Sequence, residues 1–134
     1  MRLPSCSLLF LLVSSLLLPA CGDGSGDSGS SGDPVTCTSE ARSSVQVTVV
    51  DVMGIPALDA AVTFSVDGGV EEDAECVSTA AAGGCEAWVA GYERAGVFVI
   101  KAMSADGTAK AEESVTVAKD ECHVISQMVE LKLM

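Results

Sequence analysis

The fold is decided by the stretch Val45-Gln46-Val47-Thr48-Val49, which is followed after a short segment by Ala60-Ala61-Val62-Thr63-Phe64-Ser65-Val66. In both runs apolar residues alternate with polar or small ones, which is the period expected of a strand with one buried face. The alternation returns at Val115–Val117 and near the C-terminus, where Ile125, Val129, Leu131 and Leu133 are expected to share one face. The sequence therefore predicts half-buried strands.

Turn signals separate these runs. They are Met53-Gly54-Ile55-Pro56, Asp67-Gly68-Gly69, Gly83-Gly84 and Asp106-Gly107. Gly and Pro interrupt regular structure, and no run of about ten residues combines helical spacing with caps. Short strands with a turn about every ten residues predict an all-β sandwich of about seven strands. We place this domain at residues 37–134.

Two segments carry a family resemblance. The run from Asp51 to Phe64 resembles the opening of carboxypeptidase regulatory-like domains, in which a strand ends at Asp, a Gly-x-Pro turn follows and an Ala-x-Val run begins the next strand. Ala95–Ala102 resembles that family's Gly-x-Tyr/Phe-x-Val/Ile strand. The resemblance covers residues 45–118. It implies a single Ig-like or transthyretin-like Greek-key β-sandwich without catalytic residues.

An apolar leader precedes the domain. Arg2 supplies a positive charge, and Leu8–Leu18 is apolar apart from two serines, which is typical of a secretory signal and too short for a membrane span. Leu18-Pro19-Ala20-Cys21 resembles a bacterial lipobox. This resemblance implies removal of residues 1–20 as a signal peptide and attachment of diacylglycerol and a further acyl chain to Cys21. An ordinary secretory signal cleaved near Ala20 is the alternative.

The residue after Cys21 indicates which membrane the lipid anchor is expected to enter. In the Gram-negative sorting pattern an Asp there favours the inner membrane, and this chain has Gly22, so we expect a lipid anchor in the outer membrane of the cell envelope. Residues 21–36 are rich in Gly, Ser and Asp and predict a flexible, disordered linker. Gly26-Asp27-Ser28-Gly29 matches a serine-protease signature, but its place in this linker, with the only His far downstream at His123, does not fit a catalytic triad.

The chain is strongly acidic, with 19 Asp and Glu against 7 Lys and Arg and a formal net charge of −12. This charge argues against a nucleic-acid partner and against flat docking on anionic headgroups. An acidic cluster is formed by Glu71, Glu72, Asp73 and Glu75. We expect a solvated loop there, with a weak calcium site as the alternative, although the alternating ligands of a calcium loop are missing. We expect no cofactor and no metal site.

The domain retains four cysteines, because Cys6 belongs to the leader and Cys21 is the lipidation site. They are Cys37, Cys76, Cys85 and Cys122. An even number in an exported chain predicts two disulfides, with three connectivities open. We favour Cys76–Cys85, across the Gly83-Gly84 turn, and Cys37–Cys122. A zinc site that also uses His123 is disfavoured, because zinc ligands usually come in close pairs and adjacent strand residues point to opposite faces.

Trp88 and Tyr92 are the candidate binding residues. Trp88 either stacks on a sugar at the surface or packs in the core, and we favour the core. His123 has no evident nucleophile or base partner in the sequence, so we expect it at the surface or packed at the end of the domain. The sequence thus predicts a lipid-anchored envelope module that binds an unidentified protein or envelope polymer, or gives structural support, without catalysis. A small envelope hydrolase or metal-dependent enzyme is the alternative.

Overall fold

The computed structural model describes residues 35–134, which form an all-β sandwich of two four-stranded sheets. The strands are β1 (Ser43–Val50), β2 (Ala61–Val66), β3 (Glu72–Asp73), β4 (Glu75–Thr79), β5 (Cys85–Tyr92), β6 (Gly96–Met103), β7 (Lys110–Val117) and β8 (Gln127–Lys132). One sheet has the order β4-β5-β1-β8 and the other β3-β2-β6-β7. The predicted all-β sandwich is confirmed. The leader, Cys21 and nearly all of the predicted linker lie outside the described residues.

Strand pairing is antiparallel in both sheets except between β1 and β8. These two strands run parallel, with Val47 opposite Val129 and Val49 opposite Leu131. Strand β8 therefore lies beside strand β1. This pairing brings the segment before β8 to the same end of the sandwich as the segment before β1.

The structure has eight strands where the sequence predicts about seven, and the acidic cluster contributes to the difference. Glu72 pairs with Phe64 in one sheet, whereas Glu75 pairs with Val89 in the other, so the chain crosses between the sheets at Ala74. The predicted solvated loop is therefore wrong for these residues. Backbone pairing to β2 and β5 makes them strands, although their side chains are exposed and show no apolar alternation.

The alternation in β1 places alternate side chains in the core. Val45, Val47 and Val49 are at most 2% exposed, whereas Gln46 and Thr48 are exposed. The other sheet contributes Phe64 and Phe98, whose rings stack with their centroids 5.8 Å apart. Burying one such side chain stabilises the fold by roughly 1.5–3 kcal/mol. The valine face of β1 and the two phenylalanines thus form opposite walls of one core.

Trp88 belongs to this core. It is 5% exposed and lies opposite Val47 across the β1–β5 pair. Burial leaves neither face of the indole free to stack on a sugar. The structure therefore removes Trp88 from the candidate binding residues, and the core-packing alternative is the one observed.

The C-terminal alternation holds from Val129 onward and fails before it. Val129, Leu131 and Leu133 are at most 6% exposed, but Ile125 is 49% exposed. β8 begins at Gln127, and the residue buried ahead of it is Val124, which forms an isolated bridge with Lys119. The predicted position of Ile125 on the buried face is therefore wrong, because the irregular segment before β8 does not follow the period of a strand.

The turn between β4 and β5 requires glycine at residue 84. Gly84 has φ +88°, and a Cβ placed there would lie 2.6 Å from the carbonyl oxygen of Leu58. The same oxygen accepts a hydrogen bond of 2.7 Å from the N–H of Cys85. The backbone of the β1–β2 connection therefore rests directly on this turn.

We expect Gly84→Ala to lower the free energy of unfolding by about 2–4 kcal/mol, because the methyl group adds a backbone clash to the cost of a left-handed φ. Gly83→Ala is the matched control, since Gly83 has φ +90° and nothing within 4 Å of the added carbon. It should cost only about 1–2 kcal/mol. Urea denaturation measures both, and equal losses would contradict the close approach of Leu58.

Candidate functional site

Both disulfides are present. Cys37 is bonded to Cys122 and Cys76 to Cys85, which is the pairing favoured from the sequence. The first bridge joins residues 85 apart in the chain and ties the segment before β1 to the segment before β8. The second joins residues 9 apart and closes the β4–β5 hairpin. We call the end of the sandwich that carries Cys37–Cys122 the bridged end.

His123 lies at the bridged end, 7% exposed, and both of its ring nitrogens have partners. Its Nδ1 is 2.7 Å from Oε1 of Glu93, and its Nε2 is 3.0 Å from Oγ1 of Thr38. The expectation that His123 lacks such partners is therefore wrong. These partners are 30 and 85 residues away in the chain, so only the folded structure brings them together.

Two carboxylates hold this region through backbone N–H groups. Glu93 accepts hydrogen bonds from the N–H of Arg42 at 2.7 Å and of Val124 at 3.2 Å. The Arg42 N–H above all, with His123 and the Val124 N–H, lowers the pKa of Glu93. Asp120 accepts from the N–H of His123 at 2.7 Å and of Cys122 at 2.8 Å, and these bonds lower the pKa of Asp120. Hydrogen bonds to the charged form thus keep both groups ionised.

Thr38, His123 and Glu93 stand in the order of a nucleophile, its base and an orienting carboxylate. Thr38 is an exposed residue, and its hydroxyl is bonded to His123. Acyl-transfer chemistry also needs free N–H donors for the oxyanion. The N–H groups of Arg42 and Val124 are already bonded to Glu93, and those of Cys122 and His123 to Asp120. The arrangement therefore acts first as a clamp on the segment around Cys37.

We expect Glu93→Gln to destabilise the domain in a pH-dependent way. The folded pKa of Glu93 is lowered from its ordinary value of 4.5, so the carboxylate's contribution is complete above about pH 5 and is lost as the pH falls through the folded pKa. Urea midpoints of the wild-type and Glu93→Gln proteins should differ at pH 7 and converge in acid. Glu121→Gln, at an exposed neighbour, is the control. A pH-independent difference would contradict the role of the charge.

The acidic cluster does not converge on one point. Three of its side chains have separate partners: Glu71 bonds Lys101 at 2.6 Å, Glu72 bonds Arg94 at 2.7 Å, and Glu75 accepts from the Tyr92 hydroxyl at 3.1 Å. Within residues 35–134, no group of three or more His, Cys, Asp or Glu side chains is placed to hold a metal ion. The cluster therefore serves to pair neighbouring strands.

Tyr92 remains at the surface, 43% exposed. It lies opposite Ser43 at the last pair of the β1–β5 ladder, beyond the buried part of β5. Partial desolvation and the bond to Glu75 raise the pKa of its hydroxyl. Of the two candidate binding residues, the structure therefore separates Trp88 in the core from Tyr92 on the surface.

A groove of about 790 Å³ lies at the other end of the sandwich, which we call the distal end. Three segments surround it: Asp51–Asp59, Ala82–Gly84 and Ser104–Ala109. Its apolar lining consists of Val52, Pro56, Ala57, Leu58, Ala82, Ala109 and Leu133. Its charged lining consists of Asp51, Asp59 and Asp106. No local pattern in the sequence marks this groove, because most of its residues come from three separate turns.

Carboxylate caps fix the turns around the groove. Oδ1 of Asp51 accepts hydrogen bonds from the N–H groups of Met53 at 2.8 Å and Ile55 at 2.9 Å. The Ser104 hydroxyl, with the N–H and hydroxyl of Thr108, lowers the pKa of Asp106 to about 2. Both turns are therefore fixed by local bonds, and Asp106 stays charged at neutral pH.

The turn held by Asp51 presents apolar side chains to solvent. Val52 is 63% exposed, Met53 80% and Ile55 54%. A contiguous exposed apolar surface commonly marks a place where another molecule binds. The distal end thus combines an apolar groove with an apolar turn beside it.

No protein-family model, curated protein or solved structure matches the chain. The resemblances to the lipobox and to carboxypeptidase regulatory-like domains therefore stay predictions from the motifs. Residues 35–134 contain no helix that is long and apolar enough to cross a bilayer.

Proposed function

We propose that this protein is a lipid-anchored module of the cell envelope that binds another envelope component at its distal end. The observation that carries the proposal is the apolar groove, whose surrounding turns are fixed by Asp51 and Asp106. Apolar pockets with a few placed polar groups are typical binding sites. The motifs support an Ig-like or transthyretin-like Greek-key module, and in Ig sandwiches the loops cluster at the two ends, where those of variable domains form the binding site.

Two independent observations support export and anchoring. The Leu18–Cys21 motif resembles a lipobox, which implies a lipid on Cys21, and Gly22 favours the outer membrane. The two disulfides fit an oxidising compartment. The linker enters the domain at Cys37, and β1 runs for eight residues, or roughly 27 Å, from that end to the groove. Binding and anchoring therefore use different ends of the domain.

Site-specific photocrosslinking in intact cells tests the proposal. A photoreactive residue at Val52 should form one discrete adduct, which mass spectrometry identifies as an envelope protein or polymer. The matched control is Met128, which is 83% exposed on β8 and away from the groove. Adducts of the same pattern from both positions, or none from Val52, would contradict distal binding.

The Thr38–His123–Glu93 arrangement favours a second candidate function, ester hydrolysis. His123 Nε2 would take the Thr38 hydroxyl proton while the oxygen attacks an acyl carbonyl, and the proton would then pass to the departing alcohol. Water would release the acid from acyl-Thr38 with His123 again as base. Glu93 would orient the imidazole at 2.7 Å. The four backbone N–H groups around this site are already hydrogen-bonded to Glu93 and Asp120, so they are not available to stabilise an oxyanion. We therefore rank this function second.

Hydrolysis of p-nitrophenyl acetate tests this second candidate. Turnover by the wild-type protein above the rate in buffer should be abolished by Thr38→Val, which keeps the shape and removes the hydroxyl. Thr36→Val is the control from the same segment. A wild-type rate equal to that in buffer, or equal rates in wild type and Thr38→Val, would exclude the hydrolase.

A further inference from the structure

We infer that the distal groove takes a short cationic segment of a partner protein that carries an apolar side chain between basic ones. This inference rests on the proposed function and adds the chemistry of the partner to it. The lining of the groove, the charges around it and the fixed conformation of its turns support this partner.

The floor of the groove selects an apolar side chain. Ala57, Leu58, Ala109 and Leu133 line it, and Leu133 is 3% exposed and part of the core. Covering this surface contributes roughly 25 cal/mol for each Å² of apolar area removed from water. No aromatic residue lines the groove, so it offers no platform on which a sugar ring could stack. The apolar contact therefore fits a peptide better than a glycan.

The charges around the groove select a cation. Its lining contains Asp51, Asp59 and Asp106 but no Lys or Arg. The chain as a whole has a net charge of −12, so an anionic polymer, an anionic headgroup or a second copy of the chain meets repulsion at this surface. Basic side chains on either side of an apolar one complement the rim. Electrostatic complementarity of this kind sets specificity and speeds association.

The turns around the groove are already fixed in the free protein. Asp51 closes its turn with two N–H bonds, and Asp106 bonds Ser104 and Thr108. The N–H of Leu133 donates to the carbonyl of Val50 at 2.8 Å, which holds the C-terminal segment against the groove. A partner therefore meets a surface that loses little conformational freedom on binding.

Nuclear magnetic resonance titration of the mature protein in detergent with defined peptides tests the inference. The probe acetyl-Lys-Leu-Lys-amide should shift amide signals of the three segments around the groove, whereas acetyl-Lys-Gly-Lys-amide and acetyl-Glu-Leu-Glu-amide should not. Asp59→Lys should weaken binding of the first probe about fivefold or more. Glu121→Lys makes the same change of charge at the bridged end and should leave the dissociation constant within a factor of two.

Several outcomes overturn the inference. Equal binding of the Leu and Gly peptides, or equal weakening by Asp59→Lys and Glu121→Lys, would show unspecific attraction to an acidic surface. Binding of chitotriose in the groove, or dimerisation through it in sedimentation experiments, would assign it to a sugar or a second copy. If no peptide shifts the groove while Val52 still crosslinks in cells, the inference fails and the proposed function stands.

Discussion

Removal of the Cys37–Cys122 disulfide by the double substitution Cys37→Ala and Cys122→Ala is expected to lower the free energy of unfolding by about 4 kcal/mol. The bridge joins residues 85 apart, so it restricts most of the unfolded domain, and the entropic benefit of a crosslink grows with the length of the closed loop. Thr38, which bonds His123, is adjacent to Cys37, so the same change also releases the clamp at the bridged end.

The matched control is the pair Cys76→Ala and Cys85→Ala. This bridge joins residues only 9 apart, and its removal should cost roughly 2–3 kcal/mol on the same model. Urea denaturation under oxidising conditions measures both losses. If removal of the Cys76–Cys85 bridge lowers the free energy of unfolding more than removal of the Cys37–Cys122 bridge, then the long-loop bridge is not the main constraint on the unfolded chain.

The second large effect is expected from Phe98→Ala, which should lower the free energy of unfolding by about 3–5 kcal/mol. Phe98 is 0% exposed and stacks on Phe64, so truncation leaves a cavity between the two sheets. Val97→Ala, on the neighbouring residue of β6, is the control. Val97 is 44% exposed, and its truncation should cost about 0.5 kcal/mol or less. Thermal and urea denaturation should rank the two variants in this order, and a similar cost for both would contradict the assigned faces of β6.

The main strands and their buried faces could be predicted from the sequence because one rule acts on each residue in turn. Side chains along a strand alternate between faces, so Val45, Val47 and Val49 identify the core side of β1 without knowledge of its neighbours. The same local logic places the turn before Pro56, where Gly54 has φ +81°. The disulfide pairing was one of three open connectivities, and it was favoured because the Gly83-Gly84 turn suggests a hairpin that brings Cys76 to Cys85.

Several features that depend on distant parts of the chain could not be predicted. Glu72–Asp73 is a strand because β2 lies beside it, and its own residues favour a solvated loop. Thr38 and Glu93 are 85 and 30 residues from His123, so no local pattern connects them. The distal groove likewise exists only where three separate turns meet. The sequence allowed Trp88 either a surface or a core position, and its pairing with the buried Val47 places it in the core.

We propose that a lipid on Cys21 holds this disulfide-bonded β-sandwich to the cell envelope, and the mass of the mature N-terminal peptide tests this proposal most directly. The account predicts that the protein isolated from the membrane fraction begins at Cys21 and carries the added mass of diacylglycerol, with or without a third acyl chain. Cys21→Ser should abolish this modification and release the protein from the membrane fraction. An unmodified N-terminus on freely released protein would contradict the account.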